Sequence, residues 1–212
     1  MNRAGRFVTF EGGEGAGKTT QIERLAAALR SVGVEVVATR EPGGTPGAEA
    51  IRQLLVTGPT ERWEPLTETL LHLAARCDHV SRRIRPELAA GRWVLCDRFT
   101  DSTRVYQGLA GAVGLEIVDR LHQIVLGDLS PDLTLVLDLP VEAGLARRAV
   151  SAGEDRYERM GLDFHRRVRE GFLTLARTAP ERCVVIDASG GIDDVAAAVR
   201  SAVTARLNVP LS

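Results

Sequence analysis

The chain of 212 residues balances 27 lysines and arginines against 28 aspartates and glutamates, which leaves a net charge of −1. This balance argues against a nucleic-acid-binding surface, and the hydrophobic share of 44% is typical of a globular protein. We find no secretory leader and no apolar segment long enough to cross a bilayer, so we expect no membrane contact and a cytoplasmic setting. The length suits a single α/β domain over residues 1–212.

Apolar segments typical of strands alternate along the chain with helical patterns. The segment 133–138, Leu-Thr-Leu-Val-Leu-Asp, is almost wholly apolar, as a strand covered on both faces should be. We predict strands at residues 6–11, 34–40, 93–97, 133–138 and 183–187, and helices that include residues 18–31 and 192–207. Because strands alternate with helices, we expect a doubly wound parallel five-stranded sheet flanked by helices.

A glycine-rich segment lies between the first strand and the first helix. It reads Gly12, Gly13, Glu14, Gly15, Ala16, Gly17, Lys18, Thr19, and Thr20 follows. This fits the pattern G-x-x-x-x-G-K-[ST] at every fixed position, and a strand before it with a helix after it is the context the pattern requires. The segment predicts a phosphate cradle for ATP, in which Lys18 reaches the β- and γ-phosphates and the Thr19 hydroxyl coordinates Mg²⁺.

Charged residues follow the next two predicted strands. Arg40 and Glu41 end the second strand, and Asp97 and Arg98 end the third. Ligands of doubly wound sheets collect at these carboxyl ends, where arginine can clamp a phosphate and a carboxylate can hold Mg²⁺ waters. The residues therefore indicate a second substrate that faces the cradle, although surface ion pairs at loop starts are an alternative. We find no N-K-x-D motif of the kind that a GTPase carries.

Several segments together resemble the thymidylate kinase family. Residues 40–45 read Arg-Glu-Pro-Gly-Gly-Thr, residues 97–99 read Asp-Arg-Phe, and residues 101–108 read Asp-Ser-Thr-Arg-Val-Tyr-Gln-Gly. Residues 127–134 and 162–172 are also similar to family segments, so the resemblance extends from about residue 7 to residue 203. It implies a P-loop nucleoside monophosphate kinase with a lid loop, which converts dTMP to dTDP with ATP and Mg²⁺ and forms homodimers.

The resemblance also implies residue roles. Catalytic roles fall to Lys18, Arg98, Glu14, Arg148 and Arg156. ATP would contact residues 12–20, Arg147 and Ala188, the last within the 187–190 turn. Bound dTMP would contact Arg40, Arg52, His72, Arg76, Arg98, Thr103, Tyr106 and Gln107. Of these, Arg40 and Arg98 would grip the phosphate, Arg76 and Gln107 the thymine edge, and Tyr106 would crowd the 2′ position. Thr19 and Asp97 would hold Mg²⁺, partly through water.

The sequence departs from the family pattern in the segment that supplies the lid arginine. Family members without an arginine in the P-loop carry one in the lid, and this P-loop has none. We read the polar segment 150–160 as a mobile loop that closes over the phosphates. Residues 149–155 contain no arginine, so the candidates are Arg147 and Arg148 before the loop and Arg156 and Arg159 at its far end. Of these we favour Arg148 and Arg156 as the arginines that serve the lid. The alternative is that these arginines only anchor it.

A second departure is His72, at a position where the family usually has a phenylalanine stacked on the base. His72 and Arg76 are one helical turn apart, so both can face the same pocket. A histidine there would titrate in the working range, since the ordinary pKa is about 6.5. The alternative is a tolerated substitution that faces neighbouring helices.

The remaining histidines and the cysteines form no pattern with metal-ligand spacing. We interpret His79, His122 and His165 as ordinary surface or half-buried helix residues. We expect Cys77, Cys96 and Cys183 to be small buried apolar residues, because their number is odd and they form no C-x-x-C pair.

Two other functions remain open at this stage. One is a kinase for another pyrimidine nucleoside monophosphate, and the other is an ATP-binding module that has lost transfer. Turnover of dTMP separates the first from a thymidylate kinase, and ATP binding without turnover would indicate the second.

Overall fold

A computed structural model describes residues 5–149 and 156–211. Its sheet has five parallel strands in the order β2-β3-β1-β4-β5. The strands are β1 (Phe7–Glu11), β2 (Val36–Arg40), β3 (Trp93–Asp97), β4 (Leu133–Asp138) and β5 (Cys183–Asp187). The predicted doubly wound sheet is confirmed, and only the starts of β1 and β2 differ from the predicted ones, by one and two residues.

Helices cover both faces of this sheet. They are α1 (Lys18–Ser31), α2 (Pro46–Val56), α3 (Pro65–His79), α4 (Arg85–Ala89), α5 (Thr100–Thr103), α6 (Leu115–Leu126), α7 (Val141–Ala149), α8 (Leu162–Thr178) and α9 (Ile192–Leu207). Within the described ranges, no helix is long and apolar enough to cross a membrane.

The core explains why β1 lies at the centre of the sheet. On one face of β1, Val8 is fully buried and packs with Leu25 of α1 and Val199 of α9. On the opposite face, Phe7 is buried and packs with Leu126 of α6. Apolar residues on both faces of one strand require helices on both faces of the sheet. The central strand therefore delivers its carboxyl end, and the glycine-rich segment that follows it, to a fixed position.

Two short π-helical stretches interrupt the regular helices. Val80–Ile84 joins α3 to α4, and Arg104–Leu109 follows α5. The sequence predicts neither stretch, because a π turn has no hydrophobic period of its own. The second stretch carries Tyr106 and Gln107, and π turns occur frequently at functional sites.

The segment 150–160 differs from the expected loop. Residues 150–155 lie outside the described residues, whereas Arg156–Arg159 form a 3₁₀ helix. The C-terminal end of the predicted lid is therefore a short regular helix. It packs on α2, near the predicted site of the second substrate.

Candidate active site

The glycine-rich loop leaves β1 in a conformation that glycine alone adopts easily. Gly12 has a φ of 133° and lies against the Leu137 carbonyl, and Gly15 has a φ of 67° and lies against the Gly144 carbonyl. A side chain at either position would collide with backbone. Gly17 caps α1 without a side-chain hydrogen bond, so the first amide groups of α1 remain available to an anion.

Lys18 and Thr19 begin α1 beside the loop. The Lys18 ammonium donates hydrogen bonds to the carbonyl oxygens of Gly12 (3.3 Å) and Gly13 (3.0 Å), and burial together with the nearby charge of Arg98 lowers its pKa. The Thr19 hydroxyl donates to Oδ2 of Asp97 at 2.9 Å. The structure therefore brings together the hydroxyl and the carboxylate that we predicted as magnesium ligands.

Arg98 connects the end of β3 to the phosphate cradle. Its φ of 66° is unusual for a residue other than glycine. Its guanidinium donates to the Gly12 carbonyl at 3.0 Å and to Oε1 of Glu14 at 2.7 Å, and the Tyr106 hydroxyl donates to the same oxygen at 2.9 Å. Burial alone would raise the pKa of Glu14, but Arg98 and Lys18 outweigh it and lower this pKa to about 2. Glu14 therefore stays negative at neutral pH.

Glu11 holds the backbone that follows Arg98, and no sequence motif marks it as a site residue. Its carboxylate is fully buried at the end of β1. It accepts hydrogen bonds from the backbone amides of Phe99 (2.8 Å) and Ser102 (3.3 Å) and from the Ser102 hydroxyl (2.6 Å). Burial and the charge of Asp101 raise its pKa. Glu11 thus fixes the junction between β3 and α5.

Arg76 lies in a buried polar cluster. It donates to Glu41 (2.6 Å), to the Thr103 hydroxyl (3.0 Å), to Nε2 of His122 (2.8 Å) and to the Phe99 carbonyl (2.9 Å). A guanidinium has five N–H groups, so these contacts leave one for a ligand. Because Nε2 of His122 must accept, this imidazole is neutral, and burial together with Arg76 lowers its pKa to about 3.

His72 faces the 3₁₀ helix Arg156–Arg159. Its Nε2 lies 2.8 Å from the Tyr157 hydroxyl, which donates to Oε1 of Glu68 at 2.9 Å. Gln107 donates from Nε2 to the same carboxylate oxygen at 2.8 Å. Burial lowers the pKa of His72 to about 4, although Glu68 opposes this effect. The expectation that His72 titrates near neutral pH is therefore wrong, because a charged imidazole would lose too much solvation here.

A cavity of about 430 Å³ joins these groups. Arg40 and Arg52 also line it: Arg40 pairs with Glu49 at 2.8 Å, and Arg52 donates to the Pro42 carbonyl at 2.8 Å. Residues predicted for the two substrates share this lining: Glu14, Gly15, Ala16, Gly17, Lys18, Thr19, Thr20, Arg40, Arg52, His72, Arg76, Asp97, Arg98, Thr103, Tyr106, Gln107 and Arg147. Arg147 also donates to the Ala188 carbonyl at 3.3 Å, which brings together the two residues predicted near adenine.

The structure does not place both predicted lid arginines at the phosphate cradle. The side chain of Arg148 lies outside the described residues. Arg156 is fully buried elsewhere: it donates to the carbonyls of Leu55 (2.9 Å) and Thr60 (2.8 Å) and pairs with Glu68. Its guanidinium is held by α2, α3 and the segment between them, so the expectation that it serves the transferred phosphoryl group is not met in this structure.

Other departures concern residues that were expected to be unremarkable. His79 is fully buried, with Nδ1 2.9 Å from Glu41 and Nε2 2.7 Å from the Thr39 hydroxyl. His122 contacts Arg76, as described above, so neither histidine is an ordinary surface residue. Cys77 is exposed, contrary to expectation, whereas Cys96 and Cys183 are buried. Glu68 and Tyr157 were not predicted at all, because their partners are distant in sequence and no local pattern marks them. Glu41 was expected to face a second substrate or to form a surface ion pair, and its buried contacts with Arg76 and His79 were not predicted.

Comparison with known proteins identifies the family. The model of the family described as thymidylate kinase matches residues 10–199. The chain belongs to the thymidylate kinase family. It is 56% identical to the thymidylate kinase of Caulobacter vibrioides over 205 residues, which cover 97% of this chain and 99% of that relative. A thymidylate kinase of Rhodopseudomonas palustris is 53% identical over 216 residues, which cover 99% of this chain and 94% of the relative.

A solved structure supports the same assignment. The crystal structure of thymidylate kinase from Ehrlichia chaffeensis superimposes with a TM-score of 0.78 at 34% sequence identity, and the match covers 94% of this chain and 99% of that one. The likeness extends over nearly the whole chain, so family membership and fold rest on more than the phosphate cradle.

Proposed function

We propose that the chain transfers the γ-phosphoryl group of ATP to dTMP and releases dTDP and ADP. The observation that carries the proposal is one cavity that holds Lys18 and the N-terminus of α1 together with Arg98 and Arg76. A donor phosphate chain and an acceptor nucleotide can meet there without crossing solvent. The names of the relatives support ATP-dependent phosphorylation of dTMP over another nucleotide.

Charge placement is the chemistry that these residues supply. Phosphoryl transfer requires in-line placement of acceptor and donor and neutralisation of the equatorial oxygens. Lys18 and the amides of α1 would take the donor phosphates, and Arg98 and Arg40 would take the acceptor phosphate. Glu14 holds Arg98 and Tyr106 through one oxygen. Its permanent negative charge would keep the arginine in place before the substrate arrives.

Magnesium fits the pair formed by Thr19 and Asp97. Both offer oxygen atoms, and their hydrogen bond of 2.9 Å places them side by side at the edge of the cavity. Mg²⁺ prefers oxygen ligands and retains several waters, so a hydroxyl and one carboxylate suffice beside the phosphates of ATP. The ion would neutralise the charge that develops between the β- and γ-phosphates.

A coupled assay for ADP tests the function directly, with dTMP, dUMP, dCMP and dGMP offered in turn. We expect dTMP to give the highest kcat/KM. Lys18→Ala serves as the control for chemistry in this cavity, and its kcat should fall about 10²–10³-fold because one preorganised charge is lost. Wild type without dTMP turnover, or a Lys18→Ala variant with more than about a third of the wild-type kcat, would contradict the proposal.

We also propose that two copies pair through α3 and α6. These helices pack against each other and expose apolar side chains: Leu66 and Leu70 on α3, and Ile117 and Ile124 on α6. Ile124 is 79% exposed, and several exposed apolar side chains on two packed helices are typical of a surface that a partner covers. Light scattering should give twice the monomer mass for the wild type and the monomer mass for Ile124→Glu with Leu70→Glu. A monomeric wild type would exclude the dimer.

A further inference from the structure

Glu68 is a half-buried acid whose partners Gln107 and Tyr157 line the cavity. It lies on α3, and three residues from two other parts of the chain donate to it. Gln107 Nε2 (2.8 Å) and the Tyr157 hydroxyl (2.9 Å) share Oε1, and Arg156 pairs with Oε2. The proposed chemistry gives Glu68 no direct contact with either substrate, and it is absent from the cavity lining. Its effect must therefore pass through its partners.

The charge of Glu68 decides which way the Gln107 amide points. Burial alone would raise the pKa of Glu68, but the hydrogen bonds from Arg156 and Gln107 outweigh it, so the pKa is lowered and the carboxylate is ionised. An ionised carboxylate can only accept hydrogen bonds, so Gln107 must turn its NH₂ group toward Glu68. The carbonyl oxygen of the same amide is then left for the cavity, which Gln107 lines. The chemistry of the partner, rather than the coordinates alone, thus fixes the amide.

A hydrogen-bond acceptor at the Gln107 side chain selects among pyrimidine bases. Thymine and uracil carry a donor at N3 and an acceptor at position 4, whereas cytosine carries an acceptor at N3 and a donor at position 4. The Gln107 carbonyl matches N3–H, and the remaining N–H of Arg76 matches O4. Against cytosine both contacts would be mismatched, and a buried mismatch of this kind is costly.

We propose that Glu68 is a positioning residue that makes the pocket select thymine over cytosine by fixing the Gln107 amide. The proposal rests on the proposed function, because it assigns the base to the end of the cavity that Arg76 and Gln107 form. Uracil presents the same edge as thymine, so Glu68 should not separate dTMP from dUMP. The discrimination that Glu68 controls is therefore specific to the cytosine edge.

Glu68→Gln tests this with little change in shape. In the variant, Arg156 would hold the new carbonyl oxygen, so the new NH₂ group would face Gln107 and force its amide to flip. The ratio of kcat/KM for dTMP to that for dCMP should then fall by about tenfold or more, because the cavity now offers a donor to N3. The ratio for dTMP over dUMP should change by less than about threefold, because those bases share an edge.

A matched variant separates this effect from the loss of the Arg156 ion pair. Arg156→Met removes the ion pair but leaves Glu68 to orient Gln107, so its ratio of dTMP to dCMP should stay within about threefold of wild type. Where Glu68→Gln fails to fold, Glu68→Met with Arg156→Met replaces the pair by apolar groups, a change that proteins often tolerate. In that double variant the Gln107 amide can turn either way, so the ratio of kcat/KM for dTMP to that for dCMP should fall by about threefold or more.

The outcomes are distinct. The inference is overturned if the ratio of kcat/KM for dTMP to that for dCMP is unchanged in Glu68→Gln and in the Met double variant. The proposed kinase function would then remain intact. The inference is also overturned if Arg156→Met alone lowers this ratio as much as the Glu68 variants do, since loss of the ion pair would then be the cause. A wild type that turns over no dTMP overturns the proposed function and the inference with it. The inference is supported if the kcat/KM ratio of dTMP to dCMP falls only in the Glu68 variants while the ratio of dTMP to dUMP stays unchanged.

Discussion

At the scale of single residues, His72 shows how a hydrogen bond determines the state of a side chain. The Tyr157 hydroxyl has one hydrogen, and the ionised Glu68 can only accept it. The tyrosine oxygen must then accept a hydrogen bond from Nε2 of His72, 2.8 Å away. Nε2 of the imidazole therefore carries a proton. Because burial lowers the pKa of His72 to about 4, Nδ1 carries none at neutral pH and the ring is uncharged.

A neutral His72 predicts a flat pH dependence of dTMP binding. Between about pH 5.5 and 7.5 the KM for dTMP should not change through this residue, because protonation needs a pH near 4. His72→Phe should have the same profile and should bind dTMP up to about tenfold more tightly, because a phenyl ring stacks better on a base. Affinities measured at two pH values in both proteins decide this. A several-fold pH effect in the wild type that the variant lacks would mean that the imidazole is charged.

Sequence reasoning found most residues of the candidate site but not how they are held. Lys18 and Arg98 lie in motifs, which are visible because their spacing is local, whereas Arg76 was expected from the family resemblance. His122 lies 46 residues from Arg76, and Glu68 lies 39 residues from Gln107. Such supporting contacts arise only when the chain folds, so no spacing along the chain indicates them.

At the scale of elements, β1 and β4 could be predicted because burial on both faces makes them almost wholly apolar. The helix α1 could be predicted because burial of one face imposes a helical period on its apolar residues. The 3₁₀ helix Arg156–Arg159 could not, since its position depends on Arg156 binding α2 and α3 through buried partners. The same holds for the π turn at Arg104–Leu109, where geometry rather than composition sets the direction of Tyr106 and Gln107. These irregular elements meet where Tyr106 contacts Tyr157 in the cavity lining.

The junction between β3 and α5 depends on Glu11, and this predicts a difference between two substitutions. Glu11→Ala would leave the amides of Phe99 and Ser102 unpaired, at about 1–3 kcal/mol for each buried donor. Since the junction begins at Arg98, kcat/KM for dTMP should fall by about tenfold or more. Glu11→Gln keeps a carbonyl oxygen for Phe99, and the Ser102 hydroxyl can rotate to accept, so this variant should stay within about threefold of wild type.

Steady-state kinetics with circular dichroism of both variants checks this prediction. The two proteins share the loss of the Glu11 charge and differ in the acceptor that remains. Equal losses in Ala and Gln would show that the charge of Glu11, rather than its hydrogen bonds to the junction, supports the site. Normal kinetics in Glu11→Ala would show that the junction holds Arg98 without Glu11.

At the scale of the whole molecule, buried titratable groups link stability to pH with opposite signs. His122 and His72 have lowered pKa values in the folded protein, so their contribution to stability is present above about pH 6.5 and is lost as the pH falls toward their folded values. Glu11 has a raised pKa, so its contribution is present below its ordinary value and is lost as the pH rises. The pH dependence of the wild-type unfolding free energy contains the contributions of the histidines and of Glu11 together. A comparison between wild type and a variant is needed to separate them.

His122→Gln makes that comparison, because the glutamine oxygen can replace Nε2 as the acceptor for Arg76 but cannot titrate. Below about pH 6.5 the unfolded wild type binds a proton at His122, whereas the folded protein does not until about pH 3. Between pH 7.5 and 5 the wild type should therefore lose about 2 kcal/mol of unfolding free energy relative to the variant. Urea unfolding of both proteins at the two pH values measures this, and contributions from other groups, including Glu11, cancel in the difference. A difference that does not change with pH would mean that His122 titrates alike in the folded and unfolded chains, and that it is not the neutral acceptor that orients Arg76.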